Sequence, residues 1–175
     1  MPVICATLVL SLAAWIAAVA APPPGVYALD AQNTGRLLRF NPAAPGSATV
    51  LATGLDPTSV KDYRCLAFNL DYSKLYTMDS TLLTLVELNP LTGAELSTIP
   101  VTGITPGQAV SGLTFAPNGI VYVSSALELY TLNVSTGVAT LVGSFGLTLV
   151  IDIAASPSGQ LVVHDIGTDA FYFLN

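Results

Sequence analysis

The chain has 175 residues, enough for one domain and hardly for two. Only 9% of them are charged and 52% are hydrophobic, which excludes disorder over most of the length. The formal charge is −6, and the five basic residues (Arg36, Arg39, Lys61, Arg64, Lys74) all lie in the first half, which argues against nucleic acid as a partner because phosphate binding needs clustered Lys and Arg.

Residues 3–21 carry no charge and are rich in Ala, Leu and Val. They close on Ala18-Val19-Ala20, a small-x-small pattern, ahead of Ala21-Pro22-Pro23-Pro24. Signal peptidase needs small side chains at those two positions, so residues 1–20 read as a signal peptide cleaved after Ala20. The alternative is a retained membrane anchor, since the apolar run of 3–21 approaches the ~20 residues of a spanning helix. Either reading places the remainder outside the cytosol, secreted, periplasmic or at the cell surface. Cys5 lies in this leader, leaving Cys65 alone in the rest and without an internal disulfide partner. In its apolar run Cys65 reads as a small buried hydrophobe.

Residues 21–25 form a stiff Pro-rich spacer. From residue 26 onward, apolar runs of four to seven residues alternate with clusters of Gly, Pro, Asn, Asp and Ser. No window holds a helical period, so the fold class is all-β.

The runs repeat. Leu66-Ala67-Phe68, Leu113-Thr114-Phe115 and Ile153-Ala154-Ala155 each precede a turn. A second run follows: Leu75 to Met78, Val121 to Ser124, Leu161 to His164, with Val26 to Leu29 as the matching opening. A third run ends in Asn41, Asn89, Asn133 or Asn175, at intervals of 48, 44 and 42 residues. A fourth covers Ala94 to Ile99 and Val138 to Val142. A period of 40–50 residues with four short strands is the signature of a β-propeller blade. Each blade stacks on a neighbour at both faces, which explains why these runs are apolar at both parities. The runner-up is a β-sandwich. The units are 26–63, 64–109, 110–148 and a truncated 149–175, about three and a half blades and fourteen strands. The sequence therefore reads as a partial or open propeller, in the first place a piece of a longer one, with an arc completed by a partner or a strained four-blade closure as the alternatives.

Several stretches carry a resemblance. They are LRFNPAAPGSATVLATGL (Leu38 to Leu55), CLAFNLDYSKLYTMD (Cys65 to Asp79), GLTFAPNGIVYVSS (Gly112 to Ser125) and LYTLNVSTGVATLVG (Leu129 to Gly143). Together they resemble exported bacterial repeat proteins with the patterns G-L-x-F-x-P-x-G-x-L-Y and L-Y-x-x-N-x-x-T-G-x-x-T-x-V-G. The opening stretch is similar to a domain of unknown function found in such proteins. The resemblance implies repeat architecture and assigns no catalytic residue. The last unit departs from it, with Ala155 in place of the Phe of Phe68 and Phe115, and Val162 in place of the Tyr of Tyr27, Tyr76 and Tyr122.

In such a fold the loop entering a blade and the loop between its second and third strands share the channel mouth, where ligand sites collect. That mouth would gather Asp30, Asp79 and Asp165 from second-strand ends, with Asp62, Arg64 and Asp152 from the entering segments. Asp79, Asp152 and Asp165 are the candidate metal ligands, for a hard cation such as Ca²⁺. The competing reading is that an Asp after a strand caps its own turn. His164 is the only histidine and occupies a strand position. No nucleophile, zinc or P-loop motif is present, so no catalytic or cofactor-binding residue is assigned. Asn133-Val134-Ser135 is a glycosylation sequon placed in a turn. The expected function is a secreted or cell-surface module that binds a protein or small ligand. The alternative is a metal-assisted, lactonase-like hydrolase at the channel mouth.

Overall fold

Turn chemistry and strand composition divide the described residues into fourteen strands. A computed structural model describes residues 22–30, 35–53, 55 and 61–175, and every regular element in them is a strand. The N-terminal segment read as a leader or anchor lies outside the described residues. The strands are β1 (Val26–Asp30), β2 (Arg36–Asn41), β3 (Ala44–Thr53), β4 (Tyr63–Phe68), β5 (Leu75–Asp79), β6 (Thr84–Leu88) and β7 (Glu95–Pro100). They continue as β8 (Val110–Phe115), β9 (Val121–Ser125), β10 (Glu128–Leu132), β11 (Ala139–Ser144), β12 (Val150–Ala155), β13 (Leu161–Asp165) and β14 (Ala170–Leu174).

Sequential antiparallel pairing builds four sheets, β1-β2-β3, β4-β5-β6-β7, β8-β9-β10-β11 and β12-β13-β14. The four sheets cover 26–53, 63–100, 110–144 and 150–174. The sheets stack in chain order, β4 against β8 and β8 against β12. Alternate residues of one strand serve different cores, which is why both parities are apolar. On β5, Leu75 packs in the core between the first two sheets, while Tyr76 and Met78 pack between the second and third. On β10, Tyr130 and Leu132 face back to the second sheet, and Leu129 faces forward to the fourth. Tyr27 meets Phe68 edge to face at 5.0 Å, and Tyr76 stacks on Phe115 at 5.4 Å, so the repeated aromatics are inter-sheet packing.

Two boundaries differ from the sequence reading. The inner strands begin about three residues earlier, at Tyr63, Val110 and Val150. Each carries a register shift near its start, between Tyr63 and Leu66, Val110 and Gly112, and Val150 and Asp152. Such a bulge hides the strand start from a period-2 reading. Asn89 and Asn133 are also turn caps and not strand ends. Asn89 Oδ1 accepts the Leu91 and Thr92 amides at 2.8 and 3.2 Å. Asn133 Oδ1 accepts those of Ser135 and Thr136 at 2.9 and 3.2 Å.

The second blade is tied to the third by a backbone strap. After β7 the chain crosses to the third sheet, where Thr102 N–H donates to Gly137 O at 3.0 Å and Ala139 N–H to Thr102 O at 2.8 Å. The approach is so close that a Cβ on Gly137 would lie 2.0 Å from Pro100 O, and Gly137 also has φ of 73°. Only glycine meets both conditions.

Candidate functional site at the inner-strand cleft

Asp79 and Asp165, two of the acidic residues that end the second strands, cap the turns they begin. Asp79 is fully buried, and its Oδ1 accepts the amides of Thr81 at 2.8 Å, Leu82 at 3.1 Å and Asp62 at 3.1 Å. Asp62 thus belongs to the entering segment, and Asp79 ties that segment to its own turn. Ser125 does the same work with a hydroxyl, accepting the Glu128 amide at 3.0 Å. Asp165 is also fully buried. It accepts the Leu149 amide at 2.7 Å and the hydroxyls of Thr148 and Thr168, both at 2.9 Å. Burial raises the Asp165 carboxyl, but the hydrogen bonds from Leu149, Thr168, Thr148 and Gly167 outweigh it and hold the group at about 2. Asp30 is paired with Arg36 on the neighbouring strand.

One acidic candidate stands apart. Asp152 lies at the bulge of β12, exposed, with Oδ1 accepting the Ile153 amide at 2.8 Å. Partial burial raises its carboxyl, and the Ile153 amide and the charge of His164 pull it part of the way back. Asp79, Asp152 and Asp165 are therefore not brought together. Among the described residues no three His, Cys, Asp or Glu side chains are grouped to hold a metal ion. Among the described residues, Asp79 Oδ2 and Thr77 Oγ1 are buried without a hydrogen-bond partner.

What converges instead is an open cleft of about 330 Å³ where three sheets meet, lined by Leu29 of β1, Arg64, Cys65 and Leu66 of β4, and Ile151 and Asp152 of β12. Arg64 reaches Asp62 through Nε at 2.6 Å and is more than half exposed. The cleft thus has one cation, one carboxylate and an apolar floor. Cys65 contributes shape and no nucleophile. Burial, and secondarily the Asp152 charge, push its thiol up to about 12 against the pull of the Met78 amide. His164 sits on β13, stacked on Phe171 at 4.6 Å, on the outward face of the last sheet.

Sequence reasoning placed Arg64 and Asp152 at this end of the fold and missed Leu29, Leu66 and Ile151 as lining. The bulge put Ile151 and Asp152 beside each other at the cleft, and nothing in the sequence marks a bulge there.

Among solved structures, 85% of this chain matches 61% of a chain in the nidogen/laminin complex, at a TM-score of 0.58 and 14% identity. The WD40 β-propeller domain of Doa1 matches 85% of this chain with 46% of its own, at 0.57 and 13%. The chain is a partial β-propeller. A luciferin-regenerating enzyme matches 78% of it with 46% of its own length, at 0.54 and 17%. At these identities the likeness is one of fold. The chain spans about half the length of these structures. No family model matches the chain, and no curated protein matches it.

Proposed function

We propose that this chain is a secreted or cell-surface β-propeller module that binds a protein segment or small polar ligand at its inner-strand cleft, without chemistry of its own. The observation that carries this reading is the cleft itself, where Arg64 and Asp152 stand over Leu29, Leu66 and Ile151. An apolar floor with a few convergent polar groups is the usual form of a binding site. Opposite charges a few side chains apart favour ligands that carry both an amine and a carboxylate. A metal-assisted hydrolase has less support, because Asp165 and one oxygen of Asp79 are occupied in turns and no three acidic or imidazole side chains are grouped among the described residues. Export is supported by the charge-free leader and its Ala18-Val19-Ala20 ending, and N-terminal sequencing of exported protein should begin at Ala21. The repeat patterns favour kinship with exported bacterial repeat proteins.

The test is thermal-shift titration with a panel of dipeptides bearing free amine and carboxylate groups. Binding members raise the melting temperature of the native chain and lose that effect in Arg64→Ala and Asp152→Ala. A panel with no effect, or shifts that survive both substitutions, would overturn the reading.

A further inference from the structure

Two turns of the same construction satisfy their carboxylates differently. Asp79 and Asp165 each end a second strand, and their pairing partners across the turn are Thr84 and Ala170. Leu83 and Asp169, the residues just before those partners, have φ of 49° and 51°. In both turns Oδ1 takes one amide of the entering segment, from Asp62 or Leu149, and one of the turn, from Thr81 or Gly167. The second oxygens part company. Asp165 Oδ2 accepts the hydroxyls of Thr168 at 2.9 Å and Thr148 at 3.1 Å. The matching residues of the second blade are Leu82, which has no hydroxyl, and Lys61, whose ammonium goes to Tyr63 and Glu95. Asp79 Oδ2 therefore has no partner, although Asp79 is 0% exposed.

The hydroxyl missing from this turn stands on the strand instead. Thr77 occupies on β5 the position that Val163 occupies on β13. It too is 0% exposed, and its Oγ1 has no partner. Thr77 and Asp79 are two residues apart, so both point from one face of β5. Their cross-strand neighbours on that face are Leu66 and Val86 for Thr77, and Tyr63 for Asp79, all part of the core between the first two sheets. Leu66 also lines the inner-strand cleft, so the pair lies one strand behind it. Two unpaired polar atoms on one face of a strand in an apolar core are costly and rare.

We propose that one water molecule is built into the second blade at this point, accepting the Thr77 hydroxyl and donating to Asp79 Oδ2. Residues two apart on one strand face stand about 6.7 Å apart, a gap that a water on two hydrogen bonds spans. Two such bonds lie within the usual range for a buried water. A hard cation fits less well, since Ca²⁺ wants six to eight oxygen ligands and no acidic cluster is present among the described residues. The water does for Asp79 what Thr168 and Thr148 do for Asp165. It couples β5 to the carboxylate that holds the Asp62 amide, and through Asp62 to Arg64 of the cleft.

A high-resolution crystal structure of the native chain tests this. One isolated density peak should lie within hydrogen-bond distance of both Thr77 Oγ1 and Asp79 Oδ2, unchanged by soaking in Ca²⁺. Thr77→Val keeps the side-chain shape. It should remove the peak and lower the melting temperature by about 2–4 °C, the scale of one net hydrogen bond in a domain of this size. Adding Leu82→Thr gives the second blade the valine and threonine of the fourth, and should restore most of that loss. A Thr77 hydroxyl bonded directly to Asp79 with no density between them would overturn the proposal. So would a peak ringed by the oxygen ligands a cation needs, or a Thr77→Val chain as stable as the native one.

Discussion

Gly112→Ala probes how closely the third and fourth sheets approach at the cleft. A Cβ built on Gly112 would lie 2.7 Å from the Ile153 backbone nitrogen, 2.7 Å from Ser124 Oγ and 3.0 Å from Asp152 Oδ1. The side-chain oxygens can move. The Ile153 nitrogen cannot do so unless β12 shifts, and β12 is held by its pairing with β13. Overpacking of this kind costs about 1–3 kcal/mol. Restricting the unfolded chain returns about 0.4–1 kcal/mol of that when glycine becomes alanine. The contact term wins, for a net loss of about 1–2 kcal/mol, or roughly 2–8 °C in melting temperature for a domain of this size. Calorimetry on Gly112→Ala measures it. Gly46→Ala is the control, since a Cβ there meets nothing within 4 Å. A melting temperature for Gly112→Ala equal to that of the control would refute the argument that backbone approach, and not side-chain filling, sets the spacing between these blades.

Asp165 should dominate the acid limit of stability. Its carboxyl is held at about 2 in the folded chain, so it contributes stability above the ordinary carboxylate range near 4. That contribution is lost as pH falls from about 4 through about 2, so urea midpoints of Asp165→Asn should vary less with pH over that window than those of the native chain. A thiol reagent at pH 8 should modify Cys65 no faster than the chain opens, because the thiol is buried and pushed up to about 12, and rapid labelling of native protein would contradict this. Tyr130→Phe should cost about 1–2 kcal/mol by urea denaturation. The fully buried Tyr130 hydroxyl accepts the Thr105 amide at 3.1 Å and bonds its Oγ1 at 2.9 Å. Ca²⁺ or EDTA should leave the melting temperature unchanged, and a Ca²⁺-dependent rise abolished by Asp79→Asn would restore the metal reading.

Strand number, repeat period and turn positions were legible in the sequence because they are local. A Pro or Gly in a turn, an Asn that caps it and a short run apolar at both parities each act within a few residues. The same locality made the Asp after each second strand visible as a repeated feature while leaving its role open between turn cap and metal ligand. That choice depends on distant backbone. Asp165 is committed because the amide of Leu149, sixteen residues earlier in the chain, comes within 2.7 Å of it. Asp152 is left at the cleft because a bulge on β12 turns it there. Cys65, Arg64 and Asp152 share one cleft only because the second and fourth sheets converge on it. The sequence by itself determined the blades. Tertiary structure decided which carboxylates are spent within them and which faces they bury against one another, because those outcomes follow from how sheets stack and not from how strands form.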